Sequence, residues 1–593
     1  MSKKKKKRKV IDNFIWSVAE IFRFKKAYLL VLIMNSVVKG ISPVVTLVIF
    51  QRMIDVIQFQ SGTLQDAGIL LASVAVVQLI SECLLLFTGV KLSNYELAFD
   101  LHFQEQILKK VSTLSCKDFE NNRTYDLVNR TQYDADAGIL GSIKTFFSLA
   151  ASLISSVSFA VIIAKFNIIL FVIIIVIPVV HYMFEKRYNL KEYEVEKENT
   201  EPNRRAGYIS YLLTNSEDYK EIKTFGLFRF FIKQYGLIRD ACNLKQILLN
   251  SKRGRVFGVL TVLERVSDFA VTLWILIHTF SGTISIGRFL LYNNSIDNLK
   301  DNLVSIFSQL SFLYKNSAMI ELIRDFFELE PEDTNEDGIV VDKINSIKIE
   351  GVSYRYQGKK EYALKEINLE IKPGELTIFM GNNGSGKTTL MKIIMGVYND
   401  YTGNVLINGH NLRELNMTHY RNKVSVLFQN YIKYESSIED NIRYGNVNIT
   451  KQSKYIKNIL RRVKLGEYTD QLSQMLGYQF QEGTQMSIGQ WQKMALGRTL
   501  YRDADIYIFD EPNASLDLLT ESEILKTIRQ ETKGKITFII MHRFNTMVVH
   551  ANNITVLENG KIAESGTHSQ LINKQGIYAA LFNQYHNIDE LSV

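Results

Sequence analysis

Gly381-Asn-Asn-Gly-Ser-Gly-Lys-Thr-Thr389 follows the apolar run Leu376-Thr-Ile-Phe-Met380 and precedes Leu390-Met-Lys-Ile-Ile-Met-Gly396. The first flank reads as a buried strand and the second as a short helix. Strand, glycine-rich loop and helix in that order turn the pattern G-x-x-x-x-G-K-[ST] into a phosphate cradle. Its N–H groups, from Asn383 through Gly384, Ser385 and Gly386 to Lys387, can converge on phosphate oxygens. The positive end of the helix dipole assists them. Lys387 is placed to reach β- and γ-phosphates and the Thr388 hydroxyl to reach Mg²⁺, with Thr389 completing the turn. The competing reading is a chance glycine turn before a helix, so the rest of the chain decides the matter.

Further along, Ala504-Asp-Ile-Tyr-Ile-Phe-Asp510-Glu511 reads as an apolar strand ending in two carboxylates. Asp510 can hold Mg²⁺ through water, and Glu511 can polarise a water for in-line attack on a γ-phosphate. An ordinary strand ending at a charged turn would look similar. The combination of Lys387 with Asp510 in one domain argues against it, and points to a nucleoside triphosphate with Mg²⁺.

The 593 residues exceed what one core usually organises. Long apolar runs fill the first half, and the second half has ordinary soluble composition. Six prolines suit long helices, and the three cysteines, Cys83, Cys116 and Cys242, match no metal or disulfide spacing. The net charge of +9 and the run from Lys3 to Lys9 could suggest nucleic acid. Ahead of a membrane span, that run reads better as a basic cytoplasmic anchor on anionic lipid. It is not a cleaved signal peptide, and no nucleic-acid partner is expected.

Residues 1–26 read as this basic N-terminus plus an interfacial amphipathic helix. Residues 27–327 read as six spans: 27–50, 67–90, 139–166, 167–184, 257–280 and 286–314. The last is too polar for a hydropathy scan. Yet Ile296, Leu299, Leu303, Ile306 and Leu310 form one apolar stripe at helical spacing, with Asn294, Asp297, Asn298 and Asp301 on another face. Such a polar face is expected to line a water-filled cavity. An amphipathic cytoplasmic helix is the alternative. Five spans, however, would put the N-terminal lysines and the ATP site on opposite sides of the membrane. Residues 328–346 read as an acidic, turn-forming linker, and 347–593 as an α/β domain. The expected fold class is therefore an all-α six-helix membrane domain with long cytoplasmic helical extensions, followed by an α/β P-loop ATPase domain.

Between the two phosphate motifs lies Met486-Ser-Ile-Gly-Gln490-Trp-Gln-Lys493. With it, the motif order resembles the nucleotide-binding domain of ABC transporters, and the six spans resemble an ABC exporter half-molecule. The resemblance implies roles residue by residue. Tyr356 matches the aromatic that stacks on adenine, whereas Tyr354 fits a core position. Gln429 matches a glutamine that touches Mg²⁺ and water. Ser487, Gly489 and Gln490 match the signature that closes over ATP held by a second half-transporter. Asp517 matches an aspartate that communicates across the dimer, and His542 the switch histidine on the γ-phosphate. One departure is Ile488, which stands where the usual signature Leu-Ser-Gly-Gly-Gln has glycine. Either the backbone there is an ordinary helix N-terminus with Ile488 pointing away, or turnover is reduced.

Three stretches are similar to exporters of nisin-type lanthipeptides and related bacteriocin peptides: Leu212–Gly226, Gly489–Lys493 and Ile286–Tyr292. Phe119-Glu-Asn and Tyr125-Asp126 sit where a coupling helix is expected in the first long loop, and Leu212–Gly226 where one is expected in the second. The resemblance implies a second half-transporter as partner, read as a homodimer with a heterodimer as the alternative, ATP with Mg²⁺, a peptide cargo, contact with membrane lipid, and a bacterial cytoplasmic membrane location with N-terminus and ATPase domain inside. A lipid or multidrug exporter, or a non-transporting sensor or immunity protein, are the alternatives. Many relatives carry an N-terminal cysteine peptidase. The early first span leaves no place for one, so leader removal is expected elsewhere.

Overall fold

The computed structural model describes residues 10–449, 451–513, 516–541 and 546–590. The N-terminal lysine run and His542 lie outside the described residues. The chain divides into two units. One comprises residues 1–114 and 121–330, and the other residues 115–120 and 331–593.

The first unit is helical. α1 (Val10–Phe24) leads into α2 (Lys26–Phe59), α3 (Leu64–Ser112), and, after a four-residue turn of helix α4 (Cys116–Phe119) that groups with the second unit, α5 (Asn122–Phe166). There follow α6 (Ile168–Glu198), α7 (Thr200–Thr214), α8 (Ser216–Thr224), α9 (Phe228–Phe280) and α10 (Ile286–Phe327). The breaks between long helices are short and locally encoded. Thr63 and Asp66 form a reciprocal capping box at the start of α3, each satisfying the other's backbone N–H. Asn167 alone separates α5 from α6, its side chain accepting from the N–H groups of Ile169 and Leu170. Ser285 caps α10 by accepting from the Arg288 N–H.

Among the described residues, four helices have stretches long and apolar enough to cross a membrane: α2, α3, the 138–166 part of α5, and α6. The α9 and α10 helices are long enough, at 53 and 42 residues, but carry more charge. Buried residues collect in two clusters. Tyr28, Phe99, Phe103, Ile143, Ile323 and Phe326 belong to one, and Phe159, Ile163, Ile174, Ile275, Ile296 and Leu299 to the other. Rows of apolar side chains such as Leu79, Ile80, Leu86 and Phe87 on α3 face outward, as a lipid-facing surface requires.

The expected stripe on α10 is only partly buried. Ile296, Leu299 and Ile306 are buried, Leu303 is half-buried, and Leu310 is exposed. The stripe's 3.5-residue spacing drifts roughly 20° per heptad on a straight helix, so two heptads carry Leu310 off the contact. Burial then passes to Asn316, Ser317, Ile320 and Ile323. Of the polar face, Asn294, Asp297 and Asp301 are exposed and Asn298 is half-buried. Lys300 is buried in an ion pair with Asp268 of α9, a feature with no counterpart in the stripe reading.

The second unit holds two sheets. The smaller runs β2 (Leu364–Ile371), β1 (Ile347–Tyr354), β4 (Thr402–Ile407), β5 (His410–Asn411), all antiparallel. The larger has the order β10-β9-β3-β8-β7-β6, comprising β3 (Leu376–Met380), β6 (Val424–Leu427), β7 (Ile506–Asp510), β8 (Ile536–Ile540), β9 (Asn553–Glu558) and β10 (Lys561–Gly566). From β9 to β6 its neighbours are parallel, and β10 is an antiparallel edge. β3, β7 and β8 are buried along their whole length, which is why they read as unbroken apolar runs rather than alternating ones. Residues 331–346 also lie on this unit: Glu332 forms a two-pronged ion pair with Arg421 at 2.6 and 2.9 Å, and Ile339 exchanges backbone bonds with Glu414 and Asn416.

Candidate functional site

Parallel strands place all their C-terminal ends on one edge of the sheet, and ligands in open α/β sheets bind outside that edge. Ile540 of β8 aligns with Phe379 of β3 on one side and with Asp510 of β7 on the other. The loop after β3 and the carboxylates after β7 therefore emerge side by side.

The loop turns through left-handed backbone that only glycine takes without cost. Gly381 has φ 138° and Gly386 φ 105°. A Cβ on Gly381 would stand 2.1 Å from the Leu557 carbonyl oxygen, and one on Gly386 2.6 Å from that of Ala363. Gly386 then opens α11 (Lys387–Ile394), whose first turn carries Lys387, Thr388 and Thr389. The Lys387 ammonium curls into the loop and donates to the carbonyls of Gly381 at 2.8 Å and Asn382 at 3.0 Å. Ser385 and Thr389 are buried, whereas Asn383, Gly384 and Thr388 are exposed. Tyr356 is half-buried, and its hydroxyl lies 2.9 Å from Thr389 Oγ1. Tyr354 beside it is fully buried in the core, as its strand position predicts.

The electrostatics of this edge are under tension. Burial lowers the pKa of Lys387, against the stabilising charges of Asp510 and Glu511. Burial, and then the Glu511 charge, push the Asp510 carboxyl up to about 6, with Lys387 pulling the other way. Two adjacent carboxylates at a buried edge, one with its charged form disfavoured, are a donor set that suits a divalent cation. Glu511 itself has φ 50°, a strained value for a residue with a side chain. Its N–H is held by the Ile540 carbonyl at 3.1 Å, and its own carbonyl by the Gln492 amide at 3.1 Å. Gln429 sits exposed in the turn after β6, the strand next to β7.

Ser487 is the N-cap of the helix Ile488–Tyr501, with a full capping box to Gln490: 3.2 Å from the Gln490 N–H to Ser487 Oγ, and 2.9 Å from the Ser487 N–H to Gln490 Oε1. Ile488 is the first helical residue, has an ordinary negative φ, and is 63% exposed. Of the two readings offered for Ile488, the backbone is the ordinary helix N-terminus. Gly489 follows in the first turn. Asp517 caps the helix Leu518–Glu531 by accepting from the Thr520 N–H at 3.1 Å, which lowers its carboxyl pKa.

The structure thus gathers Lys387, Thr388, Tyr356, Asp510 and Glu511 around one sheet edge. Gln492 was not singled out from the sequence. It lies inside the Met486–Lys493 stretch, but nothing local marks its role, and its bond to the Glu511 carbonyl joins that helix directly to the carboxylate turn.

Residues 364–514 match the family model described as "ABC transporter". Over nearly the full chain, the subtilin transport ATP-binding protein of Bacillus subtilis is 28% identical, covering 94% of this chain and 92% of its own length. The nisin transport ATP-binding protein of Lactococcus lactis subsp. lactis is also 28% identical, covering 96% of each. An ATP-dependent lipid A-core flippase of Hahella chejuensis is 25% identical over 80% of this chain and 81% of its own. A bacterial Atm1-family ABC exporter solved with ATP bound superposes with a TM-score of 0.71 at 18% identity, covering 94% of this chain and 97% of that one, and so shares the fold. Phosphate loop, paired carboxylates, capped signature helix and long apolar helices agree with these matches: the chain resembles ATP-binding and permease half-transporters of the ABC exporter type, the subtilin and nisin transport proteins among them, and its ABC transporter ATPase domain supports ATP hydrolysis coupled to transport.

Proposed function

We propose that the chain exports a lanthipeptide- or bacteriocin-like peptide across the bacterial cytoplasmic membrane, working as a homodimer with N-terminus and ATPase unit in the cytoplasm. The observation that carries this reading is the match to the subtilin and nisin transport proteins, which extends through the membrane half and beyond the ATPase motifs. The exposed Asn294, Asp297 and Asp301 on α10 support a polar cargo, since hydrocarbon would not tolerate them. Six spans are assigned to α2, α3, α5, α6, α9 and α10, so both chain ends lie on one side.

In the ATPase cycle, Tyr356 stacks on adenine. The loop amides from Asn383 to Lys387, with Thr389 supporting the turn, orient the triphosphate, and the Lys387 ammonium transfers from the Gly381 and Asn382 carbonyls to the phosphates. Thr388, Asp510 and Gln429 would hold Mg²⁺, which when bound neutralises phosphate charge. Glu511, fixed at its backbone from two sides, accepts a proton from the attacking water. His542 contacts the γ-phosphate. Ser487, Gly489 and Gln490 reach over the ATP held by the partner copy, and Asp517 senses that closure. ATP closes the two copies and turns the cavity outward; hydrolysis resets it, a switch between two packed states.

The test is transport in sealed proteoliposomes with the ATPase unit outward. A lanthipeptide-class precursor accumulates inside with ATP and does not with Glu511→Gln. ATP hydrolysis that no such peptide affects, with no accumulation, overturns the cargo assignment and favours the sensor alternative.

A further inference from the structure

Ser115–Glu120, the tip of the connection between α3 and α5, belongs to the second unit, and its contacts there lead to the nucleotide loop. Glu120 Oε1 accepts from the Tyr398 hydroxyl at 2.7 Å and from Lys392 Nζ at 3.0 Å. Lys392 Nζ also donates to the Tyr398 hydroxyl at 2.9 Å. Lys392 is in the last turn of α11, the helix that Lys387 opens. Tyr398 is buried. Its ring stacks on Tyr354, with centroids 4.9 Å apart, and meets the Tyr356 ring edge-on at 5.9 Å. Tyr356 in turn bonds Thr389 in the first turn of α11. One carboxylate therefore touches α11 at its far end through Lys392 and, through two tyrosines, at its near end. Lys117 adds a second tie to Asp400.

The burial of Tyr398 separates this cluster from an ordinary surface ion pair. Exposed pairs such as Lys392–Glu120 contribute little by themselves. A buried tyrosine hydroxyl that loses its acceptor, by contrast, must find another or move. Burial raises the Glu120 pKa, but bonds from Tyr398 and Lys392 outweigh it and hold the carboxyl below its usual range. Burial, the Glu120 bond and the neighbouring Tyr356 together raise the Tyr398 hydroxyl far above the usual tyrosine range, so it stays a donor.

We propose that Glu120 is a positioning residue for the base-binding side of the nucleotide site, acting through Tyr398 to set the Tyr356 ring and the first turn of α11. The strength of base binding then depends on where the Ser115–Glu120 segment sits. The proposal rests on the reading of Tyr356 as the base-stacking residue.

The test is steady-state hydrolysis of ATP and of CTP by the full chain in lipid nanodiscs, with thermal midpoints measured alongside. Tyr398→Phe and Glu120→Ala raise KM for ATP roughly threefold to tenfold, leave kcat within about twofold, and narrow the advantage of ATP over CTP, since a smaller base gains less from a well-placed ring. Glu120→Gln, which keeps an acceptor, recovers part of the loss. Unchanged KM and unchanged base preference in folded Tyr398→Phe and Glu120→Ala overturn the proposal. So does a loss of kcat and thermal midpoint with base preference intact, which marks a merely structural contact. Tyr356→Ala separates the two claims. If it raises KM for ATP while the other two do nothing, only the role of Glu120 fails; if it too leaves KM and base preference unchanged, the stacking reading fails with it.

Discussion

Ile488 stands at the first helical position after Ser487, with its side chain in the open and its carbonyl accepting from the Tyr431 hydroxyl at 3.0 Å. Nothing in that backbone asks for glycine. Ile488→Gly should therefore leave kcat within about twofold and lower the thermal midpoint slightly, glycine costing roughly 0.5 kcal/mol in a helix. Ser487→Ala, which removes half of a reciprocal cap, should cost about 1 kcal/mol of stability. Denaturant midpoints with turnover rates check both. Asp510 behaves in the opposite sense. Its folded pKa of about 6 lies above its ordinary 3.8, so the folded state binds the proton more tightly than the unfolded one. That contribution is fully present below pH 3.8 and is lost as pH rises through about 6. In chelator-containing buffer at pH 7.5, Asp510→Asn should thus be more stable than the parent by on the order of 2 kcal/mol, the gap closing toward pH 4, while hydrolysis is abolished. A gap that does not shrink on acidification would contradict the burial of Asp510. These residues were legible because each motif is local and its chemistry is written in consecutive positions. Glu120 and Tyr398, 278 positions apart, were not, since no local pattern joins them.

At the scale of elements, strands and loop followed from apolar runs and glycine spacing, and single capping residues such as Asn167 set helix breaks that hydropathy alone only suggested. The α10 helix shows where pattern reading runs out. Its apolar stripe marked the right face for Ile296 and Leu299 but overran at Leu310, because helix drift is invisible without the neighbouring helices. Nor did the stripe reveal that Lys300 is buried against Asp268. Periodicity records which residues are apolar, and a buried ion pair is the opposite case. Removing Lys300 leaves Asp268, among the described residues, only its longer contact with Arg265 at 3.7 Å, so Lys300→Ala should cost on the order of 3 kcal/mol, whereas Lys300→Met with Asp268→Leu should recover most of it. Folded yield in detergent and thermal midpoints of the single and double variants provide the measurement. Equal losses in both would mean the pair has a role beyond mutual neutralisation.

At the scale of the whole molecule, the proposed function needs two copies of the chain. Asn383 and Thr388 of the Lys387 loop are exposed, and so is Ser487, which caps its own helix. The composition hinted at two kinds of unit, and the motif order at a shared site, but a sequence holds one copy and cannot display the pairing. Mixing two dead variants tests this most directly. Lys387→Ala and Ser487→Ala chains each form dimers with two defective sites. A mixed dimer pairs the intact loop of the Ser487→Ala chain with the intact signature of the Lys387→Ala chain, restoring one whole site. Co-reconstituted and assayed for ATP hydrolysis, the mixture should recover activity well above the sum of the separate variants, with the peak at equal proportions. Activity that never exceeds that sum, with both chains folded and mixed dimers verified by mass, would contradict a nucleotide site built from two copies of this chain.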